Sequence, residues 1–239
     1  MNYIRIPNLP DRAVSSVIMN DPYGICPDGI NVIPPKELCS LPAAERFHAD
    51  MQIVHLGDNI FVCPPQMCKY YRSLLPDSEV IPGEADLKDK YPNNIAYNVC
   101  ILGNKMICYE EYTDKIILEK ASQMGLKILK THQGYSKCSI CVLTQDAIIT
   151  SDRGIITLAE ANGIDALQIS AGHILLPGYD YGFIGGCAGK ISADTLYFYG
   201  DISLHPDFNK INEFANKHNI KLKYSKDYPL TDIGSILPL

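Results

Sequence analysis

The glycine-rich stretch Gly185-Gly186-Cys187-Ala188-Gly189 places a thiol in a loop whose backbone N–H groups can approach a reacting oxygen. Cys187 is therefore a candidate nucleophile. The plainer alternative is a small side chain packed into a tight bend. Cys138 and Cys141 form a C-x-x-C pair with Lys137 beside it, and a neighbouring ammonium lowers a thiol pKa. Residues three apart on a strand face opposite ways, which disfavours a shared metal there, and Cys63 and Cys68 do not complete a four-thiolate site. Neither a metal nor another cofactor is expected. His48 and Asp50 sit two apart on an expected strand, so alternation puts an imidazole and a carboxylate on one face. Their ordinary alternative is a surface histidine and a turn-proximal aspartate.

Further polar residues follow the same logic. Asp152, in Thr150-Ser151-Asp152-Arg153-Gly154, and Asp201, in Gly200-Asp201-Ile202-Ser203, each follow a strand, and His205 precedes Pro206. All three can reach a shared mouth. Their plain roles are a helix N-cap for Asp152, a turn residue for Asp201 and a solvated loop histidine for His205. Asp232 near the tail is read in the same plain way. Tyr179, Tyr181 and Phe183 form a lid or simply connect two elements.

The elements that must position these groups recur. Apolar strands run into tight turns at Gly57-Asp58-Asn59, Gly103-Asn104, Gln145-Asp146 and Ala193-Asp194, and Gly, Asn and Asp suit such turns because they tolerate positive φ. The anchors Asp58, Asn104, Asp146 and Asp194 are 46, 42 and 48 residues apart. Helical stretches follow at Gln66–Leu75, Thr113–Met124, Ile156–Asn162 and Pro206–Lys217. Third strands close the units at Glu79–Pro82, Leu126–Leu129, Ala166–Ile169 and Lys221–Tyr224. A first, degenerate unit has strands at Ala13–Met19 and Ile30–Ile33 with little room for a helix. The third-strand anchors Val32, Val80, Ile128, Leu167 and Leu222 are separated by 48, 48, 39 and 55 residues. The strand-like tail Leu230–Leu239 is left to pair with the first unit and close a ring. The expectation is an α/β fold, a five-unit ring of β-β-α-β repeats in one domain, with units near 1–47, 48–92, 93–134, 135–182 and 183–239. A four-stranded propeller blade has a similar period, but the chain has no Trp. Aligning the hairpins on their turns gives Lys137 the register of Asp50 and turns Cys138 away, which favours Lys137 for the pocket.

Bulk properties narrow the partners. Of 239 residues, 46% are hydrophobic, enough for a core, and the net charge is -6. Lys and Arg are scattered, so the footprint of a nucleic-acid binder is missing. No apolar run reaches membrane-spanning length, and Met1–Pro10 has no signal-peptide pattern. Nine cysteines, an odd number, in no dense disulfide spacing read as reduced thiols of a cytoplasmic protein. The partner class left is a small molecule, and no feature sets an oligomeric state.

Five β-β-α-β units about an axis resemble the pentein fold, which holds arginine and agmatine deiminases, dimethylarginine hydrolases, amidinotransferases and a non-catalytic ribosome anti-association factor. His48-Ala49-Asp50, opening a hairpin that ends Ile60-Phe61-Val62-Cys63-Pro64, resembles the His-x-Asp hairpin of arginine deiminases. The following unit, Gly103–Leu129, also resembles its deiminase counterpart. The cysteine position there falls near Asn98, with Cys100 two residues on. The chain is similar, too, to an uncharacterised bacterial family of pentein-like proteins. The resemblance implies a cationic guanidino or amidine ligand, with His48 as acid/base and Asp50 holding the cation, helped by Asp152 or Asp201. It implies Cys187, ahead of Cys138, as the attacking thiol, with Lys137 and His205 at the same mouth. It equally allows a non-catalytic binding or regulatory protein with the same pocket.

Overall fold

The computed structural model describes residues 3–239. In chain order the strands begin with β1 (Ser16–Ile18) and β2 (Asn31–Ile33). The one-turn helix α1 (Ala49–Gln52) then leads into β3 (Val54–Gly57), β4 (Ile60–Cys63), helix α2 (Cys68–Leu74) and β5 (Glu79–Pro82). The third unit is β6 (Cys100–Leu102), β7 (Lys105–Cys108), α3 (Lys115–Gln123) and β8 (Lys127–Lys130). The fourth opens with a second one-turn helix, α4 (Ser136–Ser139), before β9 (Cys141–Thr144), β10 (Ala147–Thr150), α5 (Arg153–Ala161) and β11 (Asp165–Gln168). The last is β12 (Ala188–Ser192), β13 (Thr195–Phe198), α6 (Phe208–Lys217) and β14 (Lys221–Tyr224), followed by β15 (Leu237–Pro238).

These strands form five three-stranded sheets. In four of them the first strand is antiparallel to the second, as a tight hairpin requires, and the third is parallel to the second after a helical crossover. The four hairpin turns fall where the Gly, Asn and Asp residues predict them, with Asp58 at φ 47° and Gly103 at φ 56°. Three of the third-strand anchors occupy equivalent rungs, Val80 with Phe61, Ile128 with Met106 and Leu222 with Leu196, while Leu167 pairs with Ile149, one rung further along its strand.

The first sheet repeats the pattern with a borrowed strand. β1 is parallel to β2, with Val17 opposite Val32, and antiparallel to β15. The C-terminal strand thus fills the first-strand place of unit one, and the tail joins the first unit as expected. The five sheets thus give the expected five-unit α/β arrangement.

The one-turn helices depart from the sequence reading. His48 and Asp50 are not on a strand; His48 precedes α1 with extended φ/ψ, and Asp50 lies inside it. Lys137 and Cys138 lie within α4. Helix α5 starts at Arg153 rather than Ile156 because Asp152 caps it, accepting from the Ile155 N–H at 2.9 Å. Helix α6 starts at Phe208, since Pro206 and Asp207 form a turn before it.

Among the described residues, the core is largely apolar but encloses 22 polar or charged residues. His55 on β3 stacks on Phe61, with ring centroids 4.4 Å apart, and its Nε2 lies 2.9 Å from the Asp58 carbonyl oxygen. Burial pulls its pKa down to about 4, partly opposed by that carbonyl. Below about pH 6.5 the unfolded chain takes up a proton that the folded chain refuses, so stability falls as pH drops toward 4. From the shift, roughly 3 kcal/mol is lost across that window. Urea unfolding at pH 7 and pH 4 should show wild type losing about that much more than His55→Phe.

Candidate functional site

The five segments that lead into the first strands meet at the axis, and hydrogen bonds link them in a closed circuit. The Asp50 N–H donates to the Gly234 carbonyl (3.1 Å), and the Ser235 N–H to that of Gly186 (2.7 Å). The Gly186 N–H donates to the Cys138 carbonyl (2.9 Å). The Lys137 N–H donates to Asn98 Oδ1 (2.7 Å), and Asn98 Nδ2 returns to the Asp50 carbonyl (3.3 Å). Backbone this crowded demands small residues. A Cβ on Gly186 would overlap the Asp232 carboxylate, and one on Gly234, at φ 75°, would overlap His48.

The circuit brings three chemically active side chains together. One ring nitrogen of His48, a carboxylate oxygen of Asp50 and the Cys138 sulfur all lie within 4.8 Å of one another, and all three residues are buried. The Cys138 thiol donates to Asp50 Oδ2 at 3.1 Å, and Asn98 Nδ2 donates to the same sulfur at 3.0 Å. Ser235 Oγ lies 2.5 Å from Asp50 Oδ2, while the Lys137 ammonium donates to Ser235 Oγ at 3.0 Å. Among the described residues, Asp50 Oδ1 is buried with no hydrogen-bond partner. His48 Nδ1 faces Asp232 Oδ1 at 3.9 Å. Asp232 in turn accepts from the N–H groups of Phe183 (2.8 Å) and Gly234 (3.0 Å).

Burial dominates the electrostatics. It raises the Cys138 pKa well above the ordinary thiol value, and the charges of Asp50 and Asp232 add to the rise. The thiol is therefore protonated at neutral pH. Burial also raises Asp232, which His48 opposes and Asp50 reinforces.

A cavity of about 250 Å³ opens on this group. His48, Cys138 and Asp232 line it, with Glu45 and Asp180, and Tyr135, Tyr179, Tyr181 and Phe183 form aromatic walls. Three wall residues are carboxylates, and none is Lys or Arg. Asp50 and Lys137 line a separate, narrow crevice of about 20 Å³. Lys137 is therefore not the wall of the larger cavity; it shares the crevice with Asp50, as their common register implies, while Cys138 beside it in α4 opens on the cavity with His48.

The other sequence candidates lie elsewhere. Cys187 is fully buried in an apolar cluster with Cys141, Ile184 and Phe198, and its thiol donates to the Ile184 carbonyl at 3.2 Å. Its pKa is raised well above the usual value, by burial first. The N–H of Gly186 beside it is taken by the Cys138 and Phe183 carbonyls. Asp152 caps α5 and accepts from Gln133 Nε2 at 2.9 Å. Asp201 accepts from the Ser203 N–H at 2.9 Å. His205 is buried rather than solvated, with Nδ1 accepting from the Asp207 N–H at 3.1 Å. None of these four lines the cavity.

Glu45 and Ser235 are site residues that the sequence reading does not name; Asp232 has only a plain role there, and Asn98 only marks the family's cysteine position. A signal existed for two of them. Once the tail is the first strand of unit one, Asp232 and Ser235 precede it as His48 and Asp50 precede β3. His48, Asp50 and Cys138 are also the group that could share one divalent ion. Cysteine spacing could not reveal it, because Asp50 and Cys138 are 88 residues apart.

Solved structures place the fold. An inosamine-phosphate amidinotransferase from Streptomyces griseus superposes with a TM-score of 0.56 at 10% identity, over 98% of this chain and 94% of that one. A DDAH from Pseudomonas aeruginosa, a Cys-to-Ser mutant complexed with citrulline, gives 0.55 at 9% identity, over 90% and 92%. An amidinotransferase of the saxitoxin biosynthetic pathway from Microseira wollei gives 0.54 at 9% identity, over 92% and 91%. At such identities the likeness establishes a shared fold, the pentein fold. No curated protein sequence matches the chain. One sequence-family model matches residues 24–237, nearly the whole length, and the chain therefore belongs to the family of unknown function DUF6873.

Proposed function

We propose that the cavity binds the guanidino or amidine end of a small cationic molecule and that Cys138 attacks its carbon. The observation that carries this reading is the Cys138–His48–Asp50 group beneath a cavity whose walls hold three carboxylates and no Lys or Arg. A planar cation suits such walls, since carboxylates accept its N–H groups in charge-assisted hydrogen bonds. Its arrival also changes the thiol. A positive charge beside Cys138 opposes the burial and the acidic neighbours that hold the thiol protonated.

The steps balance for hydrolysis. The thiol proton passes to the acidic group it faces, and the sulfur adds to the guanidinium carbon. One C–N bond then breaks, and the departing nitrogen takes that proton through His48 and leaves as ammonia or an amine. Water adds to the remaining cationic thio-adduct, giving its proton to His48. The C–S bond breaks, one of the two water protons restores the thiol, the other leaves His48 for solvent, and a neutral ureido product departs. Asp232, within ion-pair distance of His48, supports the ring whenever it carries the proton.

Arginine, agmatine and methylated arginines form a first panel, with released ammonia or amine and ureido product as readouts. Turnover of any member supports the reading, and absence of both turnover and binding across the panel removes it. A second reading, binding without chemistry, draws on the protonated thiol held between Asn98 and Asp50. It predicts calorimetric binding with no release of ammonia or amine.

A further inference from the structure

Glu45 is a buried carboxylate on the cavity wall whose hydrogen-bond donors are all neutral. Asn94 Nδ2 donates to Oε2 at 2.8 Å, and the hydroxyls of Tyr179 and Tyr135 donate to Oε1 at 2.6 and 3.3 Å. The residue is 4% exposed, and among the described residues no cation lies within ion-pair distance of it. Buried charges are ordinarily paired. Three donors hold this one in place, yet its charge is left uncompensated next to open space.

We propose that Glu45 receives a second positive charge at the far end of the ligand, so that the site selects an alkylguanidine ending in an amine and rejects an α-amino acid. The proposal rests on the guanidino reading of the same cavity. Two further features support it. Asp180 adds another carboxylate to the wall, so the field favours a dication over a monocation. A ligand carboxylate entering this cavity would lose water and meet Glu45, Asp180 and Asp232 with no Lys or Arg to receive it. Tyr179 ties the wall to Glu45 from the loop above, so the acceptor is fixed before the ligand arrives.

Three probes with one head group isolate the tail: 4-aminobutylguanidine, butylguanidine and arginine. They differ by an amine alone, no charge, and an amine plus a carboxylate. Calorimetric affinity is measured for each, and kcat/KM where turnover occurs. We expect 4-aminobutylguanidine to exceed butylguanidine by about tenfold and arginine by about a hundredfold, as opposite and like charges in a desolvated pocket require. Glu45→Gln should bring the ratio of the first two probes to within about threefold. Equal affinity for all three probes in wild type, or a preference for arginine, overturns the proposal whether or not the variant folds. Butylamine and 1,4-diaminobutane separate this proposal from the reading it rests on. If no guanidine binds but the diamine binds and loses affinity in Glu45→Gln, the guanidino reading fails and the cation site stands. If no probe shows affinity that depends on Glu45, the cation site fails.

Discussion

Cys138→Ser should lower turnover of a guanidino substrate by about a thousandfold or more while leaving the ligand bound. Serine is the smallest change that removes the nucleophile. Its hydroxyl can still donate to Asp50 Oδ2, now 3.1 Å from the sulfur, and can accept from Asn98. The closed circuit passes through the Cys138 carbonyl and the Lys137 N–H, which the substitution does not touch. The contrast is Cys187→Ser. Cys187 packs among Ile184, Leu143 and Phe198, so a hydroxyl there costs about 1–2 kcal/mol of stability. Turnover per folded molecule should stay within about twofold, because no wall of the cavity belongs to it. Single-turnover kinetics and urea midpoints on both variants separate the two effects. Full activity in Cys138→Ser, or loss of chemistry in a folded Cys187→Ser, would end the assignment.

The sequence puts Cys187 ahead of Cys138 as the candidate thiol because it displays local features best. Hairpins, crossover helices and third strands are local: a Gly-Asn turn, an apolar run and a helical period each show within a dozen residues. Their repetition revealed the ring, and even the tail's partner. The site is built from what the repeats leave between them. His48, Asp50, Lys137 and Cys138 all lie in or beside one-turn helices. Four residues of helix produce no periodic signal, and strand alternation puts His48 and Asp50 on one face, whereas His48 lines the cavity with Cys138 and Asp50 the crevice with Lys137. The glycines around Cys187 suggested free N–H groups, but they are small because the Asp232 carboxylate and the Ile140 carbonyl press against that backbone. Glu45 lies three residues before His48, and its carbonyl accepts the His48 N–H at 2.9 Å. Nothing in its sequence neighbourhood distinguishes it from a surface glutamate; only its burial against Asn94, Tyr135 and Tyr179 does.

Asp50→Ala should be the most destabilising single change at the site, costing about 3–5 kcal/mol, and Lys137→Met in the same chain should return more than half of that. The two charges never touch directly; Ser235 joins them, accepting from the ammonium at 3.0 Å and lying 2.5 Å from Asp50 Oδ2. Lys137 is 5% exposed and Asp50 2%. Removing the carboxylate leaves a buried ammonium with a hydroxyl and no carboxylate beside it, and a crevice of about 20 Å³ has room for about one water, too little to solvate the charge. Methionine keeps the length of the side chain and removes the charge, so the double variant exchanges a broken pair for an apolar contact. Asp50→Asn makes the finer distinction. The amide oxygen can still accept from Ser235 and from Cys138, so stability should fall less than in Asp50→Ala. Turnover should fall as far, because the thiol has lost the group that takes its proton. If Asp50→Ala unfolds at the wild-type urea midpoint, Asp50 and Lys137 are not coupled. If Asp50→Asn keeps wild-type turnover, Asp50 serves the fold alone, and the proton of Cys138 must leave by His48.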